Sequence, residues 1–358
     1  MQDTETKAPV PAQTADWAPP RSLSASIGRP LSMADMGVVI IGRNEGQRLV
    51  RCLESVVGAV SHVVYVDSGS TDGSAAAARA LGAEVVELDM RRPFTAALAR
   101  NAGWRRLVEI APQATSVHFL DGDCEVVPGW LPSALEALAA RPERAVVCGR
   151  RRERFPGASV FNRQCEIEWN AGVGEIRSCG GDALMRLDAL QAVGGYRDSL
   201  IAGEEPELCV RLRGAGWKIW RLGRDMVWHD AAMLRWSQWW KRSKRAGHAF
   251  AEGVSLHGAP PERHYVAEER RALLWGALLP AAIALLAILH PAALLLLLAY
   301  PLQMLRLALR PQAAAREAGA VWSRAFFLVA GRFPEAAGVL LFHWHKLRGH
   351  ASTLIEYK

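Results

Sequence analysis

The order of apolar runs and polar turns divides this chain into an alternating part and a long apolar part. The first pattern is Val38-Val39-Ile40-Ile41, a short continuous apolar run that predicts a buried strand, followed by Gly42-Arg43-Asn44-Glu45. Residues 47–57 then place Leu49, Leu53, Val56 and Val57 at helical spacing. A second strand over 63–66 runs into Asp67-Ser68-Gly69-Ser70-Thr71-Asp72, where Thr71 or Asp72 stands ready to cap an alanine-rich helix over 74–81. A third strand follows at 84–88. The helix over 95–109 carries Arg100-Asn101-Ala102-Gly103, and a fourth strand over 117–120 ends in Asp121-Gly122-Asp123. Strand and helix alternate four times with short connections. That predicts an α/β domain with a mostly parallel sheet and right-handed crossovers. Its polar turns (Asn44 and Glu45, Asp67, Asp121 and Asp123) then share one rim, beyond the carboxyl ends of the strands, where open α/β sheets bind ligands.

Beyond Pro128 the pattern is less regular. Residues 145–149 read as a strand, and Arg150-Arg151-Arg152-Glu153-Arg154 as a basic, solvated edge. Gly180-Gly181-Asp182 forms a turn into a strand, where bare backbone has room to approach a ligand. Glu204-Glu205-Pro206-Glu207 opens a helix running to about Gly214, since acids and a proline in the first turn mark a helix N-terminus. Short strands at 217–222 and 226–228 lead to His229-Asp230.

The apolar part begins with an amphipathic helix over 233–252. Trp236, Trp239 and Trp240 share one face, with Arg235, Lys241, Arg242 and Arg245 spread over the others. Tryptophan with basic charge suits a membrane interface, with packing onto the preceding domain as the alternative. Nucleic acid is not the expected partner, because no recognised nucleic-acid module accompanies the stretch. Residues 272–309 are almost wholly apolar and are interrupted at His290-Pro291, which predicts a transmembrane hairpin with arms slightly short of the ~20 residues a span requires. Arg270 and Arg271 before it, and Arg306, Arg310 and Arg316 after it, place both ends on the cytoplasmic side. Residues 319–345 read as interfacial helices broken at Pro334, not as a third span. The expected organisation is a disordered tail over 1–35 without a signal peptide, an α/β catalytic domain over 36–230, and an interfacial helix and linker over 231–267. A hairpin over 268–310 and interfacial helices with a tail over 311–358 complete it.

Composition supports that division. Half of the residues are apolar, and the formal charge of +7 favours an anionic partner such as phosphate or anionic lipid. The six cysteines are scattered with no Cys-x-x-Cys, which fits reduced cytosolic thiols and argues against structural zinc or a disulfide framework. Asp121 and Asp123 straddle a glycine at a strand end, where two carboxylates repel unless a cation neutralises them; hard oxygen ligands suit Mg²⁺ or Mn²⁺. Taken alone, Asp-Gly-Asp is equally a solvated acidic turn. An EF-hand starting at Asp121 fails, because Val126 and Pro132 stand where Gly and Glu belong. Glu125 stands where an aspartyl-phosphate phosphatase usually has Thr or Val, and no P-loop or G-x-G-x-x-G is present.

These residues in this order resemble a family 2 glycosyltransferase of the GT-A fold. The resemblance covers roughly 37–230. It rests on Asn44-Glu45, the 67–72 loop, Arg100-Asn101-x-Gly103, Asp121-x-Asp123, Gly180-Gly181-Asp182, and the acidic helix start followed by Arg211-Leu212 and Gly216-Trp217. It implies a Rossmann-like, mostly parallel sheet flanked by helices, and an inverting transfer of sugar from a nucleotide diphosphate donor. By the same resemblance Asp67 accepts from the nucleobase, Asn44 and Glu45 line the nucleotide, and Arg100 flanks the base or diphosphate. Asp121 lies near the ribose, Gly181 and Asp182 belong to the donor site, and Asp123 binds the metal. The base comes from Glu204-Glu205, with Glu205 standing where the family usually has Asp. His229 matches a metal-binding His of some relatives, with a core or acceptor-side His as the alternative.

A uridine diphosphate donor is favoured over a guanosine one by family frequency. The expected acceptor is a lipid-linked saccharide at the cytoplasmic face of the inner membrane, for cell-surface glycan synthesis. Sugar transfer to polyprenyl phosphate and a catalytically inactive nucleotide-sugar binder are the alternatives. A processive synthase fits less well, since Gln238 is followed by Trp-Trp-Lys-Arg and the Gln-x-x-Arg-Trp motif is absent.

Overall fold

The computed structural model describes residues 30–91, 94–169, 172–310 and 318–349. Most of the expected tail, residues 1–29, and Arg316 lie outside them. The alternating part opens with β1 (Met36–Gly42), α1 (Gln47–Glu54), β2 (His62–Asp67), α2 (Ser74–Ala80), β3 (Glu84–Glu87), α3 (Ala96–Ile110) and β4 (Ser116–Asp121). β1 pairs in parallel with β2 (Ile40 opposite Tyr65) and with β4 (Ile40 opposite Leu120), and β2 with β3. The apolar runs are continuous because both faces are covered: Val38, Val39, Ile40, Val64, Val66, Phe119 and Leu120 are all fully buried. Thr95 caps α3, its hydroxyl accepting from Leu98 N at 3.0 Å.

The domain continues through β5 (Cys124–Val126), α4 (Trp130–Ala139), β6 (Arg144–Glu153), α5 (Val160–Trp169), β7 (Gly174–Ile176), β8 (Ala183–Arg186), α6 (Leu187–Ala192), α7 (Glu204–Gly214) and β9 (Lys218–His229). All nine strands form one sheet in the order β3-β2-β1-β4-β8-β6-β9-β5, with β7 also on β9. β8 runs antiparallel to β4 and β6, β9 parallel to β6, and β5 and β7 antiparallel to β9. The sheet is therefore mixed, with its parallel half at the N-terminal side.

Several expectations change here. The two short strands after Gly216 are one long strand, β9, whose irregular register against β6 absorbs the polar interruption at Gly223-Arg224-Asp225. The basic run 150–154 is not a solvated edge, because Arg150–Glu153 pair with β9 and Glu153 is buried. α2 is preceded by Gly73 instead of being capped by Thr71 or Asp72; Asp72 accepts from Ser74 N and Gly46 N and so ties two loops together.

The helical part comprises α8 (Trp236–His257), α9 (Val266–Leu273), a π-helical turn (Leu274–Leu278), α10 (Leu279–Leu289), a 3₁₀ run (Pro291–Leu298), α11 (Ala299–Ala308), α12 (Ala318–Ala330) and α13 (Arg332–Leu347). Among the described residues three stretches, Val266–Leu289, Pro291–Ala308 and Gly319–Leu347, are long and apolar enough to cross a membrane, not two. The second has 18 residues, yet eight of them are 3₁₀. At about 2.0 Å per 3₁₀ residue and 1.5 Å per α residue it reaches about 31 Å, enough for the hydrocarbon core. The last stretch breaks at Gly331, and Pro334 sits in the first turn of α13, where its missing N–H costs no hydrogen bond.

Trp239 is buried with Cys165, Met233 and Phe327, so that side of α8 packs on α5 and α12, while Trp236 and Trp240 stay partly exposed. α8 crosses α13 at very close range. A Cβ at Gly247 would overlap the Glu335 carbonyl oxygen, and one at Gly338 would overlap that of Lys244.

Candidate active site

A cleft of about 640 Å³ opens at the carboxyl ends of β1 and β4. Its walls include Asn44, Glu45, Ser68, Phe94, Arg100, Asp121, Asp123, Arg151, Gly181, Glu204, Glu205, His229 and, from α8, Arg245. The sheet topology thus gathers most of the expected residues on one rim.

Asn44 and Glu45 follow β1 directly. Asn44 has a positive φ of 55° and locks the two loops: its N donates to Ser70 Oγ (2.9 Å) and its Oδ1 accepts from Thr71 N (2.7 Å). Glu45 pairs with Arg48. Asp67 is buried, and the structure does not bring it into the cleft wall. Its Oδ1 accepts from the Tyr65 hydroxyl and its Oδ2 from Gly69 N and Ser70 N, so it shapes the loop that presents Ser68.

Asp121 and Asp123 have different neighbours. Asp121 Oδ1 accepts from Arg100 Nη2 at 2.8 Å, and Arg151 Nη2 lies 3.2 Å from Asp121 Oδ2 and 2.5 Å from Asp182 Oδ2. Asp182 also accepts from Asp121 N at 2.9 Å, so it holds the turn from behind. Asp123 Oδ2 lies 3.5 Å from His229 Nε2, because β5 pairs antiparallel with β9 and sets the two strand ends side by side. His229 is fixed by the Trp169 ring edge-on at 4.7 Å and lies 3.6 Å through Nδ1 from Glu153 Oε2.

Two ligand sets are therefore close enough for a metal: Asp123, Cys124 and His229, and Asp121, Cys124 and Asp182. The second already holds the Arg151 guanidinium. In the first, burial lowers the His229 pKa and keeps the imidazole neutral, as a ligand must be. Burial raises the Cys124 thiol well above its ordinary value, which leaves it protonated and a poor ligand. A carboxylate and an imidazole fit Mg²⁺ or Mn²⁺, with further positions left to oxygens of a substrate.

The opposite wall is the first turn of α7. Arg100 Nη1 lies 2.7 Å from Glu205 Oε1 and 3.1 Å from Glu204 Oε1. Burial raises the Glu205 carboxyl to about 7, helped by Glu204 and Asp121 and opposed by Arg100. Glu207 faces away: Arg211 holds it at 2.7 Å, His257 at 2.9 Å and Arg197 at 3.4 Å. Burial works against its charge, but these partners outweigh that and hold the carboxyl below its ordinary value. Removing one partner from such a buried ion pair costs about 3–5 kcal/mol.

Sequence reasoning missed Arg151, Trp169, Phe94 and Arg245. Arg151 follows an irregular stretch of β6 between Cys148 and Arg151, so strand alternation did not mark it. Phe94 packs under Arg43, whose guanidinium carbon is 5.0 Å from the ring centroid, and no local pattern marks it.

Residues 37–189 match the sequence model of Glycosyl transferase family 2. The chain is 31% identical over 223 residues to the succinoglycan biosynthesis protein ExoA of Rhizobium meliloti (strain 1021), covering 55% of this chain and 64% of that protein. It is 29% identical over 133 residues to the TPR repeat-containing protein Synpcc7942_0270 of Synechococcus elongatus, covering 37% of this chain and 31% of that one. Both matches span less than two thirds of the relative's length. Among solved structures, the mannosyltransferase PcManGT from Pyrobaculum calidifontis, in complex with GDP-Man and Mn²⁺, shares the fold with a TM-score of 0.57 at 19% identity, over 90% of this chain and 93% of that one.

Proposed function

Because residues 37–189 match the sequence model of Glycosyl transferase family 2, we propose that the protein is a metal-dependent, inverting glycosyltransferase. It moves a sugar from a nucleotide diphosphate sugar to a lipid-linked saccharide at the cytoplasmic face of the inner membrane. The observation that carries this reading is one cleft with Asp123 and His229 on one wall and Glu205 on the other. The nucleotide lies along Asn44, Glu45 and Ser68, with Asp67 shaping its loop and Asp121, Gly181 and Asp182 completing the donor side. Asp123 and His229 would hold Mg²⁺ or Mn²⁺, which neutralises the charge developing on a departing nucleoside diphosphate. Glu205 takes the acceptor hydroxyl proton as the new bond to the anomeric carbon forms and the bond to the diphosphate breaks on the opposite face. A carboxyl poised near neutrality suits a general base.

The similar proteins support this reading: one is a succinoglycan biosynthesis protein, another a mannosyltransferase in complex with GDP-Man and Mn²⁺. The test is a thermal-shift panel of UDP and GDP with and without Mn²⁺ on the full-length protein. Stabilisation by one nucleotide that needs Mn²⁺ supports the reading and names the donor. No stabilisation by either removes it. Catalysis, as against nucleotide-sugar binding alone, is read from release of free sugar or transfer by the same sample.

A further inference from the structure

Arg100 occupies a position that donor binding alone does not require. Its guanidinium is buried between the carboxylate of the donor side and the two acids of the base side: Nη2 on Asp121 Oδ1, Nη1 on Oε1 of both Glu204 and Glu205. The Tyr196 ring supports it, with the guanidinium carbon 5.7 Å from the centroid. Space has been kept for this bridge. A Cβ at residue 181 would overlap Arg100 Nη2 and lie 2.8 Å from Asp121 Oδ2, so a larger residue there would displace the pair. Gly181 thus serves the bridge as well as the cleft wall.

Resting on the glycosyl-transfer reading, we propose that Arg100 is a positioning residue that couples the two halves of the reaction centre. It holds Glu205 through Oε1 in its reactive orientation and makes that orientation depend on Asp121. The planar fork of an arginine meets separate carboxylates with separate nitrogens, which a lysine cannot do. The groups facing Glu205 are Arg100 from α3, Glu204 from α7 itself, Asp121 from β4, Tyr265 at the start of α9, and Tyr196 and Cys179 from the neighbouring loops. Arg100 is the cation with the largest effect on Glu205, Arg245 of α8 lines the same cleft, and Glu204 and Asp121 oppose Arg100. Without Arg100, burial and both acids act in one direction on the base. Without Glu204, one of those opposing charges is gone.

The experiment measures the pH dependence of donor hydrolysis by the full-length protein in detergent, using UDP-glucose and GDP-mannose with Mn²⁺. Nucleotide binding is followed in parallel by calorimetry. Arg100→Met should move the rising limb of the profile up by roughly one to three pH units. Arg100→Lys, which restores charge without the fork, should keep the wild-type midpoint but turn over more slowly at every pH. Glu204→Gln should move the midpoint down and leave nucleotide binding intact. Arg100→Met with an unmoved midpoint overturns the coupling. If that variant does not fold, Glu204→Gln decides alone, and a midpoint that stays or rises overturns it. A wild-type protein that binds neither nucleotide removes the glycosyl-transfer reading itself, and the coupling with it. Nucleotide binding with unshifted profiles removes only the coupling.

Discussion

The α/β domain and the helical part are both rich in aliphatic side chains, leucine above all in the helical part, and they place these residues oppositely. In the sheet, Val39, Ile40, Phe119 and Leu120 have no exposed surface, whereas Ile288 and Leu289 of α10 are 80% and 78% exposed. Leu295 and Leu309 behave likewise. Contiguous exposed apolar surface of this extent marks a contact with something other than water. The comparison teaches that one chain presents surfaces suited to two solvents: the sheet hides its apolar groups to frame a polar cleft, and the hairpin exposes stretches long and apolar enough to cross a membrane.

The strongest way to test the polar half is Asp123→Ala, which should abolish turnover together with the metal-dependent part of nucleotide binding; full activity in excess EDTA would contradict it. Next is Glu205→Gln, expected to lose roughly 10²–10⁴-fold in rate while donor and metal still bind. Glu205→Asp should keep partial activity. Glu207→Gln should lower the melting temperature and spare the rate, because its partners are Arg211, Arg197 and His257. A dead but fully folded Glu207→Gln beside an active Glu205→Gln would move the base to the other face of α7.

Between the two halves, the informative pair is Phe119→Ala against Ile288→Ala. The first should cost about 3–5 kcal/mol in denaturation of the detergent-solubilised protein. The second should leave stability nearly unchanged, since its side chain packs on little protein. Equal losses would break the two-solvent comparison, as would full-length protein that stays in a high-speed supernatant without detergent.

The smallest effect is one of pH. Glu205 is raised to about 7, so its contribution to stability is present below its unfolded value, near 4.3, and is lost as pH rises through about 7. Its basicity runs the other way. Activity should climb with pH through about 7 while stability falls, and Glu205→Gln should flatten both trends.

Much of this was legible in the residues. Four apolar runs ending in polar turns were enough for the parallel half of the sheet, because strands covered on both faces write themselves as continuous apolar runs. The acidic start of α7 was legible through Pro206 and its glutamates. What escaped depends on partners distant in the chain. Arg151 looks like one charge among five until β6 is seen between β8 and β9, with Asp121 and Asp182 waiting beside it. Asp67 was expected at the nucleobase; what the residues did not write is that its oxygens also accept from Tyr65 and from the backbone of its own loop. Trp239 shares spacing with Trp236 and Trp240, yet only the arrival of α5 and α12 buries it. The third candidate span was hidden by its charges, some of which the fold pairs: Arg332 lies 2.6 Å from Glu335.

The backbone-to-backbone crossing at Gly247 and Gly338 gives the molecule a gauge. α8, whose 22 residues are about 33 Å long, brings Arg245 to the cleft and is seated directly on α13, with no side chain between them to act as a cushion. The wall of the cleft and a stretch long and apolar enough to cross a membrane thus meet backbone to backbone, so the two are geared together and not joined by a loose tether.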